Sequence, residues 1–119
     1  MTTALEVHVD VTEGEATFVL SGDIDRDAGD ALDRAYSGAA GRGATSIRLD
    51  FTAVSYINST GIALIVGLLG RARAAAVPVS AFGLTDHYRE IFEITRLSDF
   101  MTIDDAGAAA DAGAPEGST

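Results

Sequence analysis

The stretch SIRLDFTAVSYINSTGIALIVGLLGRAR, residues 46–73, decides the fold. Its first six residues alternate. Ile47, Leu49 and Phe51 fall on one face and Ser46, Arg48 and Asp50 on the other, the period-two pattern of a half-buried strand. TAVSYI, 52–57, reads as a short loop. From Ser59 to about Ala75 the residues are almost wholly apolar and many are small, which predicts a largely buried helix. Asn58 stands where that helix begins. Its side-chain oxygen suits it to accept from the free N–H groups of a first helical turn. A strand delivering the chain into a buried helix is the unit from which α/β domains are built.

Working outward, LEVHVDV at 5–11 and ATFVL at 16–20 alternate with the same period, separated by Glu13-Gly14-Glu15, and predict a β-hairpin. SGDIDRD, 21–27, is a turn-forming cluster. From Ala28 the period changes: Ala28, Ala31, Leu32, Ala35, Tyr36 and Ala39 make an apolar stripe, with Asp27, Asp30, Asp33 and Arg34 outward. Gly41 and Gly43 end this helix. VPVSAF, 77–82, predicts a strand with Pro78 at its start, where a missing N–H is tolerated. A last helix, 87–96, is capped by Asp86; Tyr88, Ile91, Phe92 and Thr95 share a face, and Arg89 and Glu93 have the spacing of an ion pair. FMTI, 100–103, adds a short strand. The expected architecture is one α/β domain over residues 1–103, a mixed four- to five-stranded sheet with helices, followed by a disordered acidic Ala/Gly-rich tail, 104–119.

The 119 residues suit one domain, and with 47% hydrophobic residues they can build a real core. No cysteine is present, which removes disulfides and thiolate metal sites. MTTALEVHVDV alternates instead of showing a basic patch and an apolar run, so no signal peptide is expected. The longest uncharged apolar run, Gly61–Gly70, is about half the ~20 residues of a membrane helix. These features predict a cytoplasmic protein without a membrane partner. The formal charge is −10, from 18 acidic and 8 basic residues. Such a balance argues against nucleic acid, whose phosphates are bound mostly by Lys and Arg, and favours a basic protein partner.

Enzyme signatures are missing. There is no lysine, hence no phosphate loop, and the glycines of GLLGRAR are better explained by close helix packing. His8 and His87 lack a nearby carboxylate or hydroxyl of motif quality. Asp23, Asp25 and Asp27 could recruit a divalent cation, yet Asp-rich turns before helices ordinarily serve as caps and dipole partners. No cofactor and no catalytic residue is predicted.

Asn58, Ser59, Thr60 and Gly61 remain. As cap and first turn they need no further role. Ser59 nevertheless stands at a helix N-terminus, where unpaired N–H groups and the dipole favour an anion, so a phosphate there would be accommodated without unfolding the domain. Gly61 leaves room for a closely approaching backbone.

Three segments together, LSGDIDRDAGDAL, IRLDFTAVSYINSTGIALIVGLLGRAR and VSAFGLTDHYREIFEITRLSDFM, resemble the bacterial anti-sigma-factor antagonists of the STAS domain superfamily, over about residues 5–103. That family's Gly-acidic-aliphatic-Asp turn is matched by Gly22, Asp23, Ile24 and Asp25. Its Asp-Ser-Ser/Thr-Gly motif is matched by Asn58, Ser59, Thr60 and Gly61, and its third-helix segment by Leu84 through Leu97. The resemblance implies a mixed sheet with helices packed mainly on one face, and a protein without catalysis of its own. It implies phosphorylation of Ser59, with Thr60 as the alternative, by an anti-sigma factor with serine kinase activity, reversed by a PP2C-type phosphatase. Asp23, Asp25, Asn58, Ser59, Thr60 and Gly61 would meet the partner, and the chain would be a monomer or weak dimer. The one departure is Asn58 in place of the family's Asp, which keeps the cap and removes a charge beside Ser59. Two alternatives stand beside this: a STAS scaffold with another kinase or phosphatase partner, and a nucleotide or metabolite sensor.

Overall fold

The computed structural model describes residues 3–104. The tail expected at 104–119 therefore lies, but for Asp104, outside the described residues. The chain begins with strands β1 (Glu6–Thr12) and β2 (Glu15–Ile24). They pair antiparallel from Glu6↔Ser21 to Thr12↔Glu15. The two residues between them, Glu13 and Gly14, both have positive φ, 52° and 83°, as a tight two-residue hairpin turn requires. A 3-10 turn (Arg26–Ala28) leads into helix α1 (Gly29–Gly41). Strand β3 (Ser46–Ile57), helix α2 (Ser59–Ala74), strand β4 (Val79–Phe82) and helix α3 (Asp86–Ile94) follow. A second 3-10 turn (Leu97–Asp99) precedes strand β5 (Thr102–Ile103).

The sheet order is β1-β2-β3-β4-β5, with every pairing after the hairpin parallel. Three crossovers thus step in one direction across the sheet. Crossovers of one hand taken in one direction put all their helices on the same face. Burial agrees. Ala16, Phe18 and Leu20 of β2, Ile47, Leu49 and Phe51 of β3, and Val79 and Ala81 of β4 are buried. They pack with Leu32, Ala35 and Ala39 of α1, Ile65, Leu68, Leu69 and Ala72 of α2, and Phe92 of α3. The Phe51 and Phe92 rings meet edge to face, centroids 5.7 Å apart. On the opposite face Thr17, Val19, Arg48 and Asp50 are only half-buried, and Arg48 lies over the Phe82 ring at 4.4 Å.

Four local expectations are corrected. SGDI is not a turn and TAVSYI is not a loop: β2 and β3 continue together to their last pair, Ile24↔Ile57. Register shifts between Val19 and Ser21 and between Gly22 and Asp23 break the alternation there, so the period-two signal disappears although the pairing does not. Third, α2 is only half-buried. Its Ala63, Val66, Gly67 and Gly70 face outward, and a Cβ on Gly67 or Gly70 would touch nothing within 4 Å. These glycines do not serve close packing, because no layer covers the outer side of a helix in a two-layer domain. Fourth, Thr85 rather than Asp86 caps α3, its Oγ1 accepting from the Tyr88 N–H at 3.3 Å. Arg89 and Glu93 do approach, at 3.9 Å.

Candidate functional site

Strands β2 and β3 are parallel, so their C-terminal ends open on the same side of the domain, where ligands of α/β sheets gather. The last pair, Ile24↔Ile57, is followed on one strand by Asp25 and on the other by Asn58. The mutual extension of these strands brings the two motifs together.

Asn58 is the N-cap of α2. It has extended backbone angles, φ −99° and ψ −179°, and its Oδ1 accepts from the Gly61 N–H at 2.8 Å. Its own N–H donates to the Ile24 carbonyl at 3.3 Å, and its carbonyl accepts from Ile62. Ser59 and Thr60 project from this anchored turn and are exposed. Gly61 is buried, and a Cβ there would overlap the Ile24 carbonyl. The first turn of α2 is thus pressed onto the end of β2 from the opposite side to the hydroxyls. Asn58→Ala removes the cap bond and should cost about 1 kcal/mol, whereas Asn58→Asp should retain the stability of the parent. Thermal unfolding followed by circular dichroism checks both, and an unchanged midpoint for Asn58→Ala would contradict the cap assignment.

The acidic candidates separate. Asp25 is half-exposed and caps the following 3-10 turn, Oδ1 accepting from the Asp27 N–H at 3.0 Å. Its charge therefore remains at the surface beside the α2 N-terminus. Asp23 is buried, 7% exposed, and is occupied by the N-terminal segment: Oδ2 accepts from the Thr3 N–H at 3.1 Å, and its N–H donates to the Thr3 carbonyl at 2.9 Å. This arrangement gives Asp23 a part in holding the segment before β1 against β2. Among the described residues no three His, Asp or Glu side chains converge on a metal-sized site.

Tyr88 belongs to the same end of the molecule, although its position in sequence suggested only core packing. Its hydroxyl accepts the Ile57 N–H at 3.0 Å, tying the first turn of α3 to the residue before the cap. Tyr56, half-exposed, flanks the site on β3 opposite Asp23. The signal for Tyr88 is only that a phenol at the start of an amphipathic helix carries a polar tip; the contact spans 31 residues. Tyr88→Phe leaves a buried donor without an acceptor, which should cost about 1–2 kcal/mol and speed amide exchange at Ile57. Unaltered exchange there would refute the link.

Comparison with known proteins agrees with this geometry. The family model described as Mlab, STAS domain matches residues 7–103. The chain belongs to the STAS domain family. An anti-sigma-B factor antagonist of Listeria monocytogenes is 42% identical over 57 residues, 48% of this chain and 50% of that protein. A counterpart from Listeria innocua matches equally. The chain thus spans about half the length of the curated relatives it matches. Among solved structures, the anti-sigma factor antagonist SpoIIAA in its unphosphorylated form is similar with a TM-score of 0.66 at 23% identity, covering 87% of this chain and 89% of that one. The Bacillus cell fate determinant SpoIIAA in its phosphorylated form gives 0.65 at 24% identity, covering 87% and 91%. These likenesses establish the fold that the motifs implied, a five-stranded mixed STAS sheet with three helices. No helix among the described residues is long and apolar enough to cross a membrane.

Proposed function

We propose that this STAS domain is a non-catalytic, cytoplasmic anti-sigma-factor antagonist, switched by phosphorylation of Ser59 in a partner-switching pathway. The observation that carries this reading is the placement of Ser59: an exposed hydroxyl on the first residue of α2, above a turn locked by Asn58 and Gly61 and beside Asp25. In its neutral form this end of the domain, with Asp25 offered to a basic residue, binds an anti-sigma factor that is also a serine kinase. That kinase transfers a phosphoryl group from its own ATP to Ser59 Oγ. A PP2C-type phosphatase returns the hydroxyl. The reading draws further support from the 42% identity to the Listeria antagonists and from the likeness to SpoIIAA, a protein solved in both phosphorylation states.

The fold suits such a switch. A phosphoserine adds about −1.5 to −2 charges, and the unpaired amides that open an α-helix can receive it without rearrangement. What changes is the surface offered to the partner rather than the fold. Thr60, also exposed, is one residue further into the helix and is the alternative acceptor.

Peptide mass spectrometry of the protein taken from its own cells, with and without stress, tests the proposal. A phosphoryl group on Ser59 whose occupancy changes with condition supports it; Ser59 unmodified in every condition rejects it.

A further inference from the structure

Strand β1 forms one edge of the sheet, paired on one side with β2 and with no strand beyond it among the described residues. It is regular over seven residues, without proline, and both register shifts of the sheet lie elsewhere, between β2 and β3. Short length, bulges, proline and charged side chains are the usual means of blunting such an edge. Of these, β1 carries only charge, Glu6 and Asp10, which turns away an acidic strand and leaves the edge open to a basic one.

The surface below this edge is also open. Val7 and Val9 point toward α1 but remain half-exposed, whereas Leu20 and Phe18, opposite them on β2, are buried. The side of α1 that faces β1 carries the short residues Ala31, Ala35 and Gly38 with Arg34 beside them. Together with Glu6, Val7 and Val9 they line an open groove of about 490 Å³, whose lining suits apolar side chains better than further cations. A Cβ on Gly38 would meet nothing within 4 Å. On the other face of β1 stand Glu6, His8, Asp10 and Thr12, all exposed, with Glu13 and Glu15 continuing the acidic run around the hairpin.

We infer that the β1 edge is a docking site for an extended, basic segment of a partner protein, which adds a sixth strand to the sheet. Its backbone pairs with the free hydrogen-bonding groups of β1, the mode by which peptides augment exposed edges. Its alternate side chains are small and apolar and enter the groove between β1 and α1. The others are Lys or Arg and lie on the opposite face beside Glu6 and Asp10. The exposed face of β1 carries Glu6 and Asp10, so a strand bearing Lys or Arg complements it in every register. A second copy instead sets Glu6 against Asp10 in the antiparallel pairing centred on His8, and like charges directly opposite destabilise a pair. The inference stands apart from the Ser59 reading, since the edge and groove belong to β1 and α1 and not to the α2 N-terminus.

The test uses the full chain labelled with ¹⁵N and an end-blocked seven-residue peptide alternating Lys and Val, with a Glu/Val peptide as control. The Lys/Val peptide should shift amides of residues 6–12 and of the facing side of α1, and slow the exchange of β1 amides. Glu6→Lys combined with Asp10→Lys should weaken it about tenfold. Gly38→Leu, which improves helix propensity while filling the groove, should abolish binding by a well-folded protein. The inference is overturned by an absence of shifts, by shifts scattered over the acidic surface or centred on Ser59, by undiminished binding to Gly38→Leu, or by self-association of the chain through β1 in sedimentation.

Discussion

Ser59→Asp should bind the isolated anti-sigma factor at least about thirtyfold more weakly than Ser59→Ala, with Ser59→Ala close to the unphosphorylated parent. The estimate rests on the loss of about 2–5 kcal/mol when a charge is forced into a close contact without a counter-ion. Aspartate carries less charge than a phosphoryl group and reaches less far, so the lower end of that range applies. The ordering follows from the surface around the residue: Ser59 is exposed, Asp25 lies at the neighbouring strand end, and the chain carries −10 overall. A partner that recognises Asp25 by a basic residue still meets that residue in the Asp variant, but the adjoining neutral contact is gone. Titration calorimetry of the two variants against the same partner measures the difference. Equal affinities would end the switch proposal while leaving the STAS assignment intact.

Salt separates the two ways in which the charge can act. Interactions between exposed charges more than about 10 Å apart are largely screened at 0.1 M ionic strength. Repulsion across the wider acidic surface should therefore shrink as salt rises, and a direct clash or desolvation at Ser59 should not. The geometry favours the local effect, because Ser59 sits on a turn anchored at Asn58 and Gly61 and cannot swing away from a docked partner. The affinity ratio between the Ser59 variants should persist at high salt.

Which parts of this arrangement could be read from sequence depended on whether neighbouring residues or distant ones set them. The apolar stripe of α1 and the alternation of Ile47, Leu49 and Phe51 are local. Leu32, Ala35 and Ala39 of the one and all three of the other are buried as their periods require, while Ala31 and Tyr36 at the stripe's margins are half-buried. The ends of β2 and β3 were illegible because their bulges interrupt the alternation on which strand reading relies. Thr85 and Asp86 are both good capping residues, and only backbone geometry, with Thr85 extended at φ −66° and ψ 160°, makes Thr85 the cap of α3. Nothing in the local composition of SGDIDRD tells how deeply Asp23 and Asp25 are buried. Their separation into a buried anchor and a surface charge depends on Thr3, 20 residues upstream of Asp23. Tyr88 escaped for a similar reason, its partner Ile57 lying 31 residues earlier. The outward glycines of α2 show the converse: a composition that suggests close packing says nothing of whether a packing partner exists.

Gly61→Ala should be the most damaging small substitution in the domain, lowering stability by about 3 kcal/mol and the unfolding midpoint by roughly 15 °C. Helix propensity alone predicts the opposite, since Ala is favoured over Gly in a helix interior by about 1 kcal/mol. Contact decides the sign. A Cβ at this position would overlap the Ile24 carbonyl oxygen and crowd the carbonyl carbon behind it, both backbone atoms of a paired strand that cannot yield like a flexible side chain. That same oxygen receives the Asn58 N–H, so moving α2 away to relieve the overlap also pulls the cap from its seat. Gly67→Ala and Gly70→Ala are the internal controls. They lie on the same helix with open space around them, and should stabilise by up to about 1 kcal/mol. Thermal and urea unfolding of the three variants compares them directly. Should Gly61→Ala unfold at the same temperature as Gly67→Ala, the close approach of α2 to β2 is wrong, and with it the fixed placement of Ser59. A loss confined to Gly61→Ala means that the residue two positions after Ser59 sets where that hydroxyl is presented, so the stability of the domain and the presentation of the proposed phosphoacceptor share one backbone contact.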